Sequence, residues 1–194
     1  MVLLLASLFA AGCGTSVLPS DGEMIRLFRT HEAAFNQVYE IISEKTEGSH
    51  YYPPSEFDSI FIRELAAAEG LSCGLQGLYG EDSSYLHGLF PPDRALLDSL
   101  LAVTGCELVR FYRRECGEDS VSLTMVHYSH GLSVSGTAKC FVCDPGLRNC
   151  PWVRIAEQGD LNEIYRRTFC DTTLCEPIEG NWYIEPDHEN WRWQ

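Results

Sequence analysis

Nine cysteines hold most of this chain's reactive chemistry: Cys13, Cys73, Cys106, Cys116, Cys140, Cys143, Cys150, Cys170 and Cys175. Cys13 stands apart behind an apolar run, which leaves eight, an even number. In an exported chain, eight cysteines read as disulfides, up to four of them, with about 105 pairings open. Zinc is the competing chemistry. Cys140-x-x-Cys143 with Cys150, Cys170 or Cys175 supplies four thiolates, but no second C-x-x-C completes a paired knuckle. A thioredoxin-type redox role needs a helix directly after the motif, and Asp144-Pro145-Gly146 follows instead. Disulfides are therefore the expectation, with no metal and no cofactor.

Histidine and lysine are the next candidates. His31 falls on an apolar helical stripe, three residues after Phe28 and four before Phe35. It is either an acid/base group or ligand aimed into a pocket beneath a sheet, or a core histidine bonded to a neighbouring strand. His127 and His130 flank a turn and could share a metal, yet no third ligand lies nearby in sequence. Lys139 is one of only two lysines and lies mid-strand. With Arg26, Arg29 and Arg110 it could line an anion pocket; otherwise it is a charge facing water. Ser133 and Ser135 lack a G-x-S-x-G elbow. No P-loop, G-x-G-x-x-G or H-E-x-x-H occurs, and no catalytic residue is assigned. Asp187-His188-Glu189 reads as a polar tail, and Trp191 and Trp193 as a candidate interaction surface.

The elements that must position these residues follow from periodicity. Ser20 with Glu23 makes a capping box for a helix over 21–45, with Phe28, Phe35, Val38 and Ile42 at helical spacing. Ser55 caps a second helix over 56–69, stopped by Gly70. Pro91 and Pro92 open a third over 93–104, with Leu96, Leu97, Leu100 and Leu101 on its apolar face. After Gly105 the period changes from 3.6 to 2. Strands are predicted over 108–113, from Val121 through Met125, and over 132–142 with a bulge at Gly136. The last two are predicted over 166–170 and 181–185, with Asp160 a cap for one helical turn before them. In the last strand Trp182 and Ile184 share one face and Tyr183 takes the other. Helices first and strands afterwards imply α+β: three N-terminal helices packed on one face of an antiparallel sheet of four to five strands.

Two resemblances add an address and a family. Met1 to Ala11 is apolar apart from Ser7, and is too short for a stable membrane span, which needs about 20 residues. Ala10-Ala11-Gly12-Cys13 resembles the lipobox of bacterial lipoproteins. That likeness implies a signal peptide over 1–12, diacylation of Cys13, a tether over 13–19, and a single globular domain over 20–194. Three further stretches are Leu27-Phe28-Arg29-Thr30-His31-Glu32-Ala33-Ala34-Phe35, Gly131-Leu132-Ser133-Val134-Ser135-Gly136-Thr137-Ala138-Lys139 and Glu179-Gly180-Asn181-Trp182-Tyr183-Ile184. Together they resemble a family of small bacterial secreted or lipoprotein-like proteins with no assigned activity. The resemblance implies an exported fold and no site residues.

Charge narrows the partners. The net charge is −14, which repels phosphate backbones and anionic lipid alike. Nucleic acid is not an expected partner, and any membrane attachment must rest on acyl chains. The expectation is a lipid-anchored protein of the cell envelope. Its role is non-enzymatic, a binding module of inhibitor or immunity type that meets another envelope protein. The competing expectation is a small-ligand carrier or enzyme with a pocket around His31 and Lys139.

Overall fold

Ser20 starts the first helix through a reciprocal pair of hydrogen bonds. Its hydroxyl accepts from the Glu23 N–H at 3.3 Å, and its own N–H donates to Glu23 Oε2 at 2.8 Å. The helix, α1 (Asp21–Ser43), departs from helical geometry at His31, with φ −123° and ψ 23°. One residue earlier, the Thr30 hydroxyl donates to the Arg26 carbonyl at 2.7 Å. Such back-bonding to the preceding turn bends helices, and it accounts for the kink. The computed structural model describes residues 18–45, 47–53, 91–113, 121–132, 135–157, 159–167 and 173–188. The predicted second helix over 56–69, Cys13, Cys73, Cys116, Cys170, Trp191 and Trp193 lie outside them.

α2 (Pro91–Thr104) begins on proline, whose missing N–H is no loss in a first turn, and stops at Gly105, whose φ is +64°. Leu97, Leu100 and Leu101 are buried, while Leu96, expected on the same face, is exposed. The strands are β1 (Glu47–Tyr51), β2 (Leu108–Arg113), β3 (Val121–Leu132), β4 (Ser135–Cys143), β5 (Val153–Ile155), β6 (Thr173–Glu179) and β7 (Trp182–His188). A 3-10 turn (Leu147–Asn149) and α3 (Leu161–Arg167) fall between β4 and β6. The order across the sheet is β1-β2-β3-β4-β7-β6-β5, antiparallel except for the parallel β5–β6 pair.

The class is α+β, as expected, but the sheet has seven strands instead of four to five, and it is mixed. β1 was hidden because Glu47-Gly48-Ser49-His50 carries no apolar alternation. What seats it is Gly48, at φ +155°, where an added Cβ would lie 2.6 Å from the Phe111 ring. Arg166 and Arg167 belong to α3 and not to a strand, and the last two strands begin later, at Thr173 and Trp182. The β3–β4 bulge lies between Val126 and Tyr128, not at Gly136. Of the three helices expected at the N-terminus, the second lies outside the described residues. α1 and α2 pack on each other, whereas α3 comes late in the chain and meets β6 and β7.

The main core joins Met24, Phe28, Phe35, Val38 and Ile42 of α1 to Leu97 and Leu101 of α2 and to alternate sheet residues. The latter include Val109, Phe111, Leu123, Met125, Phe141, Trp182 and Ile184. At its centre the Phe35 ring packs tilted or edge-on against Phe28, Phe141 and Trp182, with ring centroids 5.1, 4.6 and 5.5 Å away. Tyr183 faces away from this core, into a smaller cluster with Val142, Leu147 and Cys175, as its alternation with Trp182 and Ile184 requires. Among the described residues no helix is long and apolar enough to cross a membrane.

Candidate functional site

The strands that turn Val109, Phe111, Met125, Phe141 and Ile184 into the core must turn their alternate residues the other way. The register lines these up. Tyr51, Leu108, Val126, Cys140 and Glu185 form one continuous row across β1, β2, β3, β4 and β7. Arg110 and Thr124 are paired in the next row, and Ser129, Ala138 and Asp187 form a third beyond the bulge. These rows floor a cleft of about 880 Å³, rimmed by Tyr51, Tyr52, Tyr112 and His130. Its charged lining is Arg110 against Glu107, Glu185 and Asp187, so the cleft is acidic on balance.

Its electrostatics are legible at Cys140, which is buried in the floor. Burial pushes this thiol well above its ordinary range, and the carboxylates of Glu185 and Asp187 push it further, with Arg110 opposing them. A thiol held in its protonated form is a poor nucleophile and a poor ligand. Across the row, the Cys175 thiol lies 3.8 Å from Glu185 Oε2. The Ser129 hydroxyl donates to the Glu107 carboxylate, fixing that side chain at the cleft's end.

The other sequence candidates fall elsewhere. Cys140 and Cys143 are three residues apart on a strand, so they face opposite sides of the sheet: Cys140 lines the cleft and Cys143 joins the main core. That geometry removes both the zinc and the redox reading of this motif. Burial raises Cys106 and Cys143 to about 12. The five described cysteines, Cys106, Cys140, Cys143, Cys150 and Cys175, are not bridged to one another, and the candidates Cys73, Cys116 and Cys170 lie outside the described residues. All five are buried and fill the interior as small apolar side chains do. Among the described residues no group of three or more His, Cys, Asp or Glu is placed to hold a metal ion.

His127 and His130 separate. His127 stacks on Phe141 and donates from Nδ1 to the Gly105 carbonyl at 2.8 Å, whereas His130 lines the cleft. His50 is paired with Asp98 of α2 at 2.8 Å. His31 sits half-buried at the kink of α1. Lys139 is at the other end of that helix, fully buried, bonded to Asp21 at 2.5 Å, the Pro19 carbonyl at 2.7 Å and Asn162 at 3.0 Å. Ten helical residues, about 15 Å, separate Asp21 from His31. The structure therefore does not bring His31 and Lys139 into one pocket. Nor does Lys139 line an anion site with Arg110, which faces the cleft on the other side of the sheet.

Of the cleft's charged residues, Arg110 is expected from sequence beside Lys139, and Asp187 in a polar tail; Glu185 is not singled out, and none of the three is expected in this cleft. The signal was present: Arg110 alternates with Val109 and Phe111, and Glu185 and Asp187 continue the face of Tyr183. What the chain could not show is that β7 pairs with β4, which places those carboxylates beside Cys140.

A family model described as Domain of unknown function (DUF4948) matches residues 17–190. No curated protein matches this chain. No solved structure matches it either.

Proposed function

For a chain that belongs to the DUF4948 family, whose description assigns no activity, we propose a role as a lipid-anchored binding protein of the cell envelope. It is non-enzymatic, and it receives a partner of basic character on the cleft side of its sheet. The observation that carries this reading is the cleft itself, a floor built from five adjacent strands, with three carboxylates against one guanidinium and tyrosines at the rim. Tyrosine supplies contact area at little entropic cost, and both tyrosine and carboxylate attract ammonium and guanidinium groups. The whole-chain charge of −14 acts in the same direction, raising the encounter rate with a basic partner. The lipobox-like Ala10-Ala11-Gly12-Cys13 supports the anchor and the compartment.

The test uses a fluorescent lysine-rich peptide as probe, with a glutamate-rich peptide as control. The lysine-rich peptide should bind, and Glu185→Lys with Asp187→Lys should weaken binding at least about tenfold, a loss of roughly 1.4 kcal/mol. Glu163→Lys, a charge reversal on exposed α3, should change it far less. Because the cleft variant changes the net charge by twice as much as Glu163→Lys, a cleft loss no more than about twice the Glu163→Lys loss in free energy would mean that only the overall charge matters, and the cleft would be rejected as the site. A small-ligand carrier is the second reading. It is favoured by a volume within the range of about 300–1,000 Å³ usual for such sites.

A further inference from the structure

We infer that Asp21, Glu176 and Lys139 form a proton-dependent clasp, which holds the segment entering α1 against β4 and β6 and loosens as the solution becomes alkaline. It lies on the core side of the sheet and is independent of the cleft. Lys139 is 0% exposed and Asp21 5%. The ammonium bonds Asp21 Oδ1, the Pro19 carbonyl and Asn162 Oδ1, and Asn162 Nδ2 returns to the Pro19 carbonyl at 3.2 Å. Asp21 Oδ2 accepts from the Leu161 N–H at 2.5 Å. Residues 19–21 are thereby pinned to β4 and to the first turn of α3 at once.

Glu176 of β6 is the group that does not fit as a carboxylate. Its Oε2 is buried without a hydrogen-bond partner, and Asp21 Oδ1 has none beyond the ammonium. The charges that face this cluster come from every element around it. Asp21 and Glu23 lie on α1, Lys139 on β4 and Asp160 at the start of α3, while on β7 the residue opposite Glu176 is apolar Ile184. Asp21, Glu23 and Glu176 thus act on one lysine, and Asp160 adds a further repulsion on Glu176. A proton on Glu176, donated to Asp21, supplies the missing donor and removes the excess charge. Burial is the main cause holding that proton, with the hydrogen bond to Asp21 and the repulsion of Asp21 and Asp160 behind it, and together they raise Glu176 to about 7. The ordinary value is 4.5, so the stabilisation is full below that pH and is lost as the pH rises through about 7.

The experiment is NMR on the full chain in detergent micelles, following the Glu176 side-chain carbon and the exchange protection of the Leu161 amide between about pH 5 and pH 8. Glu176 should titrate near 7, and Leu161 protection should fall at least about tenfold across that window. Glu176→Gln, neutral at every pH, should keep Leu161 protected throughout, and Glu163→Gln, exposed on α3, should behave as wild type. A Glu176 midpoint near 4.5 would overturn the clasp, whatever the variants do. So would a Glu176→Gln protein that keeps the wild-type pH dependence.

Discussion

A buried ammonium is tolerated at position 139 because each of its three hydrogens has an acceptor: Asp21 Oδ1, the Pro19 carbonyl and Asn162 Oδ1. Taking the charge away leaves the buried Asp21 carboxylate with no cation, only the Leu161 N–H and the Glu176 carboxyl beside it. Lys139→Met should therefore cost about 3 kcal/mol in a denaturant melt, the range for breaking one half of a buried pair. The double variant Lys139→Met with Asp21→Asn should recover part of that loss; a strictly additive pair would mean that the two do not interact. The cysteines are a second case of burial deciding chemistry. Cys106 and Cys143 are raised to about 12 and Cys140 well upward, so native protein at neutral pH should resist alkylation at all three. Mass spectrometry before and after denaturation reads this directly, and rapid native labelling of Cys140 would show the cleft floor to be open and its thiol reactive.

At the scale of elements, local sequence was a good guide wherever the decisive interaction is also local. Ser20 and Glu23 are three residues apart, and the capping box they announce is the one formed. β2 spans Leu108–Arg113, as its alternation predicts. The failures share a cause. β1, β5 and β6 are strands because something distant pairs with them: β1 and β6 have no clean apolar alternation, and the alternation of β5 runs for only three residues. α1 owes its place to side chains more than to propensity, since Phe28 and Phe35 close on Phe141 and Trp182. Trp182 is held in turn by its Nε1 donating to Asn36 at 2.9 Å. Phe35→Ala should cost about 3–5 kcal/mol, as large-to-small changes in a packed core do, and Ser20→Ala about 1 kcal/mol. Urea denaturation would measure both, and a Phe35→Ala loss below that of Ser20→Ala would place the helix's stability in its cap and not its packing.

For the whole molecule, charge and anchoring are the properties to test. Binding of the lysine-rich probe should weaken as salt is raised from about 0.05 to 0.5 M, because the Debye length then falls from about 14 to about 4 Å and screens the partners' approach. A salt-independent affinity would favour the small-ligand reading. The intact mass of the mature protein isolated from membranes tests the anchor: a diacylglyceryl-type increase on a chain beginning at Cys13 is expected, and a mass beginning at Met1 would exclude it. From the sequence alone come the α+β class, the cap of α1, the start and stop of α2, the strand β2, the opposed faces of Trp182 and Tyr183, and the acidic balance. Each depends on neighbours within one or two turns, or on composition. Only the tertiary structure decided the strand order, the burial of Lys139 and the gathering of Arg110, Cys140, Glu185 and Asp187 on one face. Those depend on β4 pairing with β7, across forty-odd residues, and no local pattern of side chains records which strand a partner will choose.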